Sequence, residues 1–446
     1  MKILIITTYY PPDTAIAAVR PYMFAKHLSQ MGHEVTVLRS GEIIGICDNF
    51  FEVIPEVRVI SYLGENSPAE LFARGQWKPA QKHLKSRIGF LPAKVRLPIA
   101  RFYHRVIHSR KAASQMKHRN ILLEKQKAVL DQLKAQEDSF DVVFSTYGEL
   151  ENIFTGQYAS NLFGCKWIQD FRDSAAPSHI LHRRILKIRK CIQADAICQA
   201  DAVTAVSHGL LSELFADSGS SVPGVVLYNG HEPIREISDK PPVSFQDPNV
   251  LSLCYTGTLY NGKSDMLPIL HALKSLSDQG KIDLSKVRIH YAGSSFDFLQ
   301  VPAAKLHLQE ILVNHGYVNR SESAHLQKDA DIFVVLSWNT KSSQGILTGK
   351  FYEGIRAGKP ILSVISGDVP HSELSLLNEK YHYGLCYESC RKKEQFSQLC
   401  DYLEKLYQEK MSTGRISYTP DPALETDFRY DMLAKKLEKL CFDVMG

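Results

Sequence analysis

Lys350 and Glu353 stand one helical turn apart, directly after Thr348 and Gly349. That spacing puts an ammonium and a carboxylate on the same helix face. Thr348 and Gly349 sit where a helix would begin, and Gly358 and Pro360 where it would stop. The free N–H groups of a helix start attract anions. The ligand such a set suits carries a phosphate for the cation and a diol for the carboxylate. The same residues also fit an ordinary capped helix with a surface Lys and Glu. A second candidate set is Asp170, Arg172 and Asp173, which follow the strand-like run Cys165 to Gln169. Open α/β sheets bind ligands at the carboxyl ends of their strands. The competing reading is an Arg–carboxylate pair that holds a loop.

Positioning these groups takes strands and loops. Asp331 to Leu336 is a nearly continuous apolar run, as expected of a strand buried on both faces. Ile3 to Ile6 reads the same way. It runs into a loop with Asp13, Thr14, Ala15 and, further on, Arg20, then a helix and the strand Val35 to Leu38, a βαβ start. The loop lacks G-x-G-x-x-G, so the dinucleotide fingerprint is absent. Further strands are expected at 141–146, leading into Tyr147, and at 165–169, 201–207 and 225–230. Residues 231–249 are polar and hold four prolines, which reads as a linker. A second α/β series follows: 251–255 before Gly257, Thr258 and Lys263; 287–291 before Gly293; then Gly316-Tyr317-Val318 and the Asp331 strand. Residues 427–442 form an amphipathic helix.

A chain of 446 residues implies two domains. The expected bounds are 1–235, with a basic insert at 74–127; a linker at 236–249; 250–425; and a helix at 426–446. The nine cysteines lack a metal-binding spacing and read as reduced thiols, and no metal site is expected. No signal peptide and no membrane-spanning run is read. The net charge of +5 hides an asymmetry: residues 74–127 hold fifteen Lys or Arg against one acid, +14, which leaves −9 elsewhere. Aromatic and aliphatic residues interleave with the charges, as in Trp77, Lys82, Lys85, Arg87, Phe90, Arg96, Arg101, Phe102 and Arg105. This composition suits an element lying on an anionic bilayer. A solvated basic face and nucleic acid are the alternatives, and nucleic acid is not taken as a partner. A second basic helix is expected at 183–190.

Taken in order, the motifs resemble the GT-B glycosyltransferases, most closely family 4 and its bacterial cell-surface polysaccharide enzymes. They are Tyr9-Tyr10-Pro11-Pro12 with Arg20, Trp167 to Asp173, Ala205-Val206-Ser207, Tyr228-Asn229-Gly230, Tyr255 to Tyr260, and Thr348 to Glu353. The resemblance covers nearly the whole chain. It implies two Rossmann-like parallel-sheet domains facing across a cleft, with the C-terminal helix returning to the first domain. It implies a retaining hexosyl- or N-acetylhexosaminyltransferase that uses a nucleotide-sugar co-substrate, UDP-sugar before GDP-sugar, and requires no cofactor. The implied acceptor is a lipid-linked glycan of lipopolysaccharide or capsule, met at the inner face of the bacterial cell membrane by a peripheral cytoplasmic protein. Glu353 would take the ribose hydroxyls, and Thr348 and Gly349 the diphosphate, over Gly257, Thr258 and Gly293 with charge from Lys263 or Lys350. Gly316, Tyr317 and Val318 would meet the base. Asp13, Thr14, Ala15, Arg20 and Tyr147, with Asp170, Arg172 and Asp173, would face the sugar and acceptor. The chain departs from the pattern at Gly345, where many relatives carry a first carboxylate eight residues before Glu353, and at Thr258, where many carry Arg. A non-hydrolysing UDP-sugar 2-epimerase shares this fold and is the enzymatic alternative. A non-catalytic membrane-binding protein is the other.

Overall fold

The computed structural model describes residues 1–13, 15–40, 51–63, 119–177, 183–232, 244–260, 263 and 265–446. The first sheet contains β1 (Lys2–Ile6), β2 (Glu34–Arg39), β3 (Val57–Ser61), β4 (Val142–Tyr147), β5 (Lys166–Phe171), β6 (Ala202–Ala205) and β7 (Gly224–Val226). They lie in the order 3-2-1-4-5-6-7 and every pairing is parallel. Around it are α1 (Ile16–Gln30), α2 (119–135), α3 (Leu150–Phe163), α4 (Arg183–Gln199) and α5 (His208–Ser218). The second sheet, also all parallel, contains β8 (Leu251–Thr256), β9 (Val287–Ala292), β10 (Leu312–Gly316), β11 (Ile332–Trp338), β12 (Ile361–Ser366) and β13 (Gly384–Glu388) in the order 10-9-8-11-12-13. Its helices are α6 (Leu267–Asp278), α7 (Asp297–Lys305), α8 (Arg320–Asp329), α9 (Gly349–Ala357), α10 (Glu373–Tyr381) and α11 (Lys392–Thr413); α12 (Ala423–Asp427) and α13 (Tyr430–Met445) end the chain.

Parallel strands buried on both faces need apolar side chains at odd and even positions alike. Leu4 and Ile6 enter one core and Ile3 and Ile5 the other. In β11, Ile332, Val334 and Leu336 face one layer, and Phe333 and Val335 face α9 and α10. The last helix, α13, lays Tyr430, Leu433, Leu437 and Leu440 on the first sheet's core beside α1. The C-terminal helix therefore crosses back to the first domain. From Ser244 the chain lies on the second domain. The Phe245 ring stacks on His290 with centroids 3.7 Å apart, and its N–H donates to Asp329 at 3.2 Å.

The expected membrane residues Trp77 to Arg105, and Thr14 of the loop, lie outside the described residues, as does the linker from 233 to 243. No described helix is long and apolar enough to cross a membrane.

Strand order reverses between β1 and β4 in the first sheet, and between β8 and β11 in the second. Loops leaving neighbouring strands at such points diverge and open a crevice at their carboxyl ends. Every residue of the candidate site follows from one of these two crevices or the walls beside them.

The domains also touch directly. Glu373, at the start of α10, accepts from the N–H groups of His208 at 2.9 Å and Gly209 at 3.0 Å, and from the Tyr228 hydroxyl at 2.9 Å. A second-domain carboxylate thus occupies the N-terminus of first-domain helix α5, where the helix dipole favours negative charge.

Candidate active site

A cleft of about 1280 Å³ separates the two crevices. The second-domain wall is built on α9. Thr348 is its N-cap with extended backbone, Gly358 ends it in the left-handed conformation at φ +64°, and no acid lies in its first turn. The Thr348 hydroxyl is buried and has no hydrogen-bond partner among the described residues. Lys350 Nζ bonds both oxygens of Glu353, at 2.8 and 2.7 Å. Gly257 lies beneath the lysine: a Cβ added there would stand 3.1 Å from Lys350 Cε. Gly293 packs under Gly257 in turn, where a Cβ would come within 2.2 Å of the Gly257 carbonyl oxygen. Both glycines let the strand ends approach where a side chain would block them. The cations on this wall are Lys350, Arg356 and Arg320, against the single acid Glu353, among the described residues. Burial lowers the Arg356 pKa from its ordinary value, and Glu353 opposes that shift.

The first-domain wall presents Tyr147, Gly148, Arg172 and Asp173. Arg172 is fixed by the carbonyls of Ala17, at 3.0 Å, and Tyr147, at 3.3 Å, and lies over the Tyr9 ring. Asp173 reaches solvent along the cleft but is crowded by protein. The crowding raises its carboxyl pKa and Arg172 draws it back. Ile16, at the start of α1, is 68% exposed and leans over Gly349, so the two helix starts meet across the cleft.

The expected site residues divide accordingly. Arg172, Asp173, Tyr147, Gly349, Lys350 and Glu353 line one cleft. Asp170 does not, and its expected contact with substrate is corrected. It is fully buried, and each oxygen accepts two bonds: from Arg20 and Thr204 at 2.7 Å each, and from Arg20 at 3.0 Å and Thr146 at 2.8 Å. Burial opposes its ionisation, but Arg20 and the hydroxyls outweigh that and hold the carboxyl below its usual range. Arg20 borders the cleft, yet its guanidinium is committed to Asp170 and to the carbonyls of Leu227 and Tyr228, each at 2.8 Å. Asp13 is likewise turned inward, 1% exposed, and accepts from the N–H of Ala15 at 2.9 Å.

Gly316, Tyr317 and Val318 are not among the residues that line this cleft. Tyr317 is 79% exposed, and Val318 packs beside Cys254 and Leu326. Asn319, Arg320, Ser321 and Ser323, directly after them at the start of α8, do line it. Lys263 sits over the Trp338 ring at 4.7 Å, and Thr258 is exposed, its carbonyl accepting from Tyr255 at 3.1 Å.

Gly345 has a physical reason. It sits at φ +67°, and an added Cβ would lie 2.5 Å from Ser207 Oγ and 2.8 Å from Gly209 Cα. The two glycines bring the backbones of both domains together beside the Glu373 contact. Adding a carboxylate here by Gly345→Glu is therefore expected to push the domains apart and lower turnover at least tenfold, an effect of about 1.4 kcal/mol or more. A gain in turnover from this variant would refute the packing argument.

Sequence reasoning missed Arg356, Trp338, Gln327 and Glu373. Arg356 follows Glu353 by one turn on the same helix, so spacing could have found it. The other three carry no local signal.

No protein-family model matches the chain, and no curated protein matches it in sequence. Solved structures do match along its whole length. A sucrose-phosphate synthase from Thermosynechococcus elongatus aligns over 100% of this chain and 99% of its own, with 10% identity and a TM-score of 0.57. The apo form of the lipopolysaccharide outer core galactosyltransferase WaaB aligns over 99% of each chain with 14% identity and a TM-score of 0.56. Alr3699/HepE of Anabaena, in complex with UDP and glucose, aligns over 99% of this chain and 100% of its own with 13% identity and a TM-score of 0.54. At these identities the likeness is one of fold, the two-domain GT-B arrangement.

Proposed function

We propose that the chain is a retaining glycosyltransferase of the family 4 type that moves a sugar from a nucleotide-sugar to a glycan carried on a polyprenyl diphosphate. The carrying observation is the second-domain wall, where three cations, Lys350 and Arg356 of α9 and Arg320 of α8, line the cleft with the single carboxylate of Glu353, opposite Arg172 and Asp173. Their net charge of two matches a nucleoside diphosphate, and Glu353 offers two oxygens to a ribose diol. Three neighbours of the same fold support the reading by what their names state: a sucrose-phosphate synthase, a galactosyltransferase and a protein bound to UDP and glucose. UDP-sugar is the favoured donor and GDP-sugar the alternative.

The barrier in such a transfer is departure of the diphosphate from an oxocarbenium-like centre. Lys350 and the free N–H groups of α9 meet the charge that develops there. The leaving phosphate takes the acceptor proton on the same face, so no protein base is required. Arg172 and Asp173 orient the acceptor. Arg183, Arg184, Ile185, Lys187 and Ile188 are exposed along the first turns of α4, and this basic and apolar surface supports work at the inner face of a membrane within cell-surface polysaccharide synthesis.

The test is incubation with a panel of UDP- and GDP-hexoses and N-acetylhexosamines, with and without polyprenyl-diphosphate-linked sugars. Nucleoside diphosphate release and an elongated lipid-linked product with the donor's anomeric configuration are expected. Epimerised donor without transfer would replace this reading with the 2-epimerase.

A further inference from the structure

Gln327 sits on α8 and is 1% exposed. Its amide nitrogen donates to Glu353 Oε2 at 2.6 Å and to Thr256 Oγ1 at 2.8 Å, with Ser323 Oγ at 3.1 Å beside them. Its carbonyl oxygen accepts from Arg356 Nη2 at 3.0 Å. A guanidinium only donates, so Arg356 must face the amide oxygen, and the NH₂ group is left to face Glu353. The amide is thereby fixed in one orientation by two elements, the β8 end and α9.

Glu353 has two other bonds, both to Lys350 Nζ. Lys350 is a single ammonium on a flexible stem, and a diphosphate is the stronger partner for it. Two ribose hydroxyls then take the two carboxylate oxygens that Lys350 holds. What keeps the carboxylate plane in register through this exchange is Gln327. A Glu side chain rotates freely about its last torsion unless something holds it. A held carboxylate presents both oxygens to both hydroxyls, and a ligand lacking one hydroxyl forfeits that bond to a partly buried acceptor. Sites built in this way reject the analogue that lacks the group. A carboxylate free to turn re-aims at the remaining hydroxyl and loses that discrimination.

We propose that Gln327 is a positioning residue that makes the donor pocket selective for ribonucleotides over 2′-deoxyribonucleotides, by holding Glu353 in register with the 2′- and 3′-hydroxyls. The inference rests on Glu353 taking the ribose, as proposed above.

The experiment measures, by calorimetry on the full chain, the affinities of UDP, 2′-deoxy-UDP, GDP and 2′-deoxy-GDP. The proteins are the wild type, Glu353→Ala, Gln327→Met and Gln327→Glu. The wild type is expected to prefer the ribo form of its nucleotide by about thirtyfold, the worth of one hydroxyl bonded to a carboxylate. Gln327→Glu keeps the shape and the bond from Arg356 and cannot donate once both carboxylates are ionised, so it is measured above the pH at which the pair shares a proton, and Gln327→Met keeps only the length. Both are expected to bring the preference below about threefold, half a logarithmic unit or less of remaining discrimination. A purely structural role would weaken both nucleotides equally and leave the ratio at its wild-type value, and that result, in Gln327→Glu above all, overturns the inference. Failure of the donor-site reading looks different: no nucleotide binds the wild type, or Glu353→Ala binds as the wild type does, and the inference falls with it.

Discussion

Lys350→Ala is expected to lower kcat by about 10²–10³-fold, the usual cost of removing one group aimed at charge developing in the transition state. Glu353→Ala is expected to act differently, raising the donor KM by about 10–100-fold with a smaller change in kcat. The difference follows from geometry. Both side chains rise from the first turns of α9, but Lys350 lies over Gly257 at the strand end, the place proposed for the diphosphate, while Glu353 is held back against Gln327. The ribose is bound equally in ground and transition states, so its loss appears in KM; the leaving phosphate gains charge only as the bond breaks, so its loss appears in kcat. Because Lys350 and Glu353 bond each other, the double variant should cost less than the two single costs combined. Steady-state kinetics with the donor and acceptor of the wild type decides the matter. If both single variants stay within threefold of the wild type in kcat and KM, α9 is not the donor site.

Arg20→Ala should unfold the first domain more readily, by about 3–5 kcal/mol, because it strands the buried Asp170 carboxylate. For a domain of this size that is a fall of about 6–20 °C in its thermal transition. The guanidinium makes two bonds to Asp170 and ties α1 to the carbonyls of Leu227 and Tyr228, so both β5 and the chain leading to the second domain lose an anchor. The pH dependence has a definite sign. In the wild type the folded pKa of Asp170 lies below the unfolded one. Its contribution is therefore fully present above about pH 4, the unfolded value, and is lost as pH falls through the folded pKa. In Arg20→Ala only the Thr204 and Thr146 hydroxyls are left to oppose burial, so the order is expected to reverse, and the deficit against the wild type is largest near neutrality and shrinks on mild acidification. Calorimetric scans at neutral and mildly acid pH test this. Arg20→Met combined with Asp170→Leu should recover most of the loss, since no charge is left buried. An Arg20→Ala deficit below 1 kcal/mol, or one that grows as pH falls, would show that the pair does not hold the fold.

How much of this was legible depends on the range of the interaction concerned. α9 and its caps were readable at Thr348, Gly349 and Gly358, and β1, β2 and β11 were readable as apolar runs, because a helix end and a doubly buried strand each write their requirements into a few consecutive residues. The edge strand β3 was not, since only its first residue is buried and Arg58 and Val59 face solvent. The stretch holding α10, β13 and α11 carries no motif.

Asp170, Arg172 and Asp173 read as one set by adjacency, but β5 ends at Phe171, so Asp170 is still inside the buried strand while Arg172 and Asp173 lie beyond it. Asp170 points into the packed interior to meet Arg20, and Asp173, past the strand end, reaches the cleft. The sequence alone determined that two parallel sheets form, and that a cation and a carboxylate lead the helix beside one of them, because burial and capping are local demands on residue type. Only the tertiary structure decided which charges serve the cleft and which hold the fold. Gln327 reaches Glu353 from another helix, Glu373 reaches His208 and Gly209 from another domain, and Gly345 is bare because Gly209 lies against it. Those contacts depend on how the elements meet in space, and no spacing along one strand or helix encodes them.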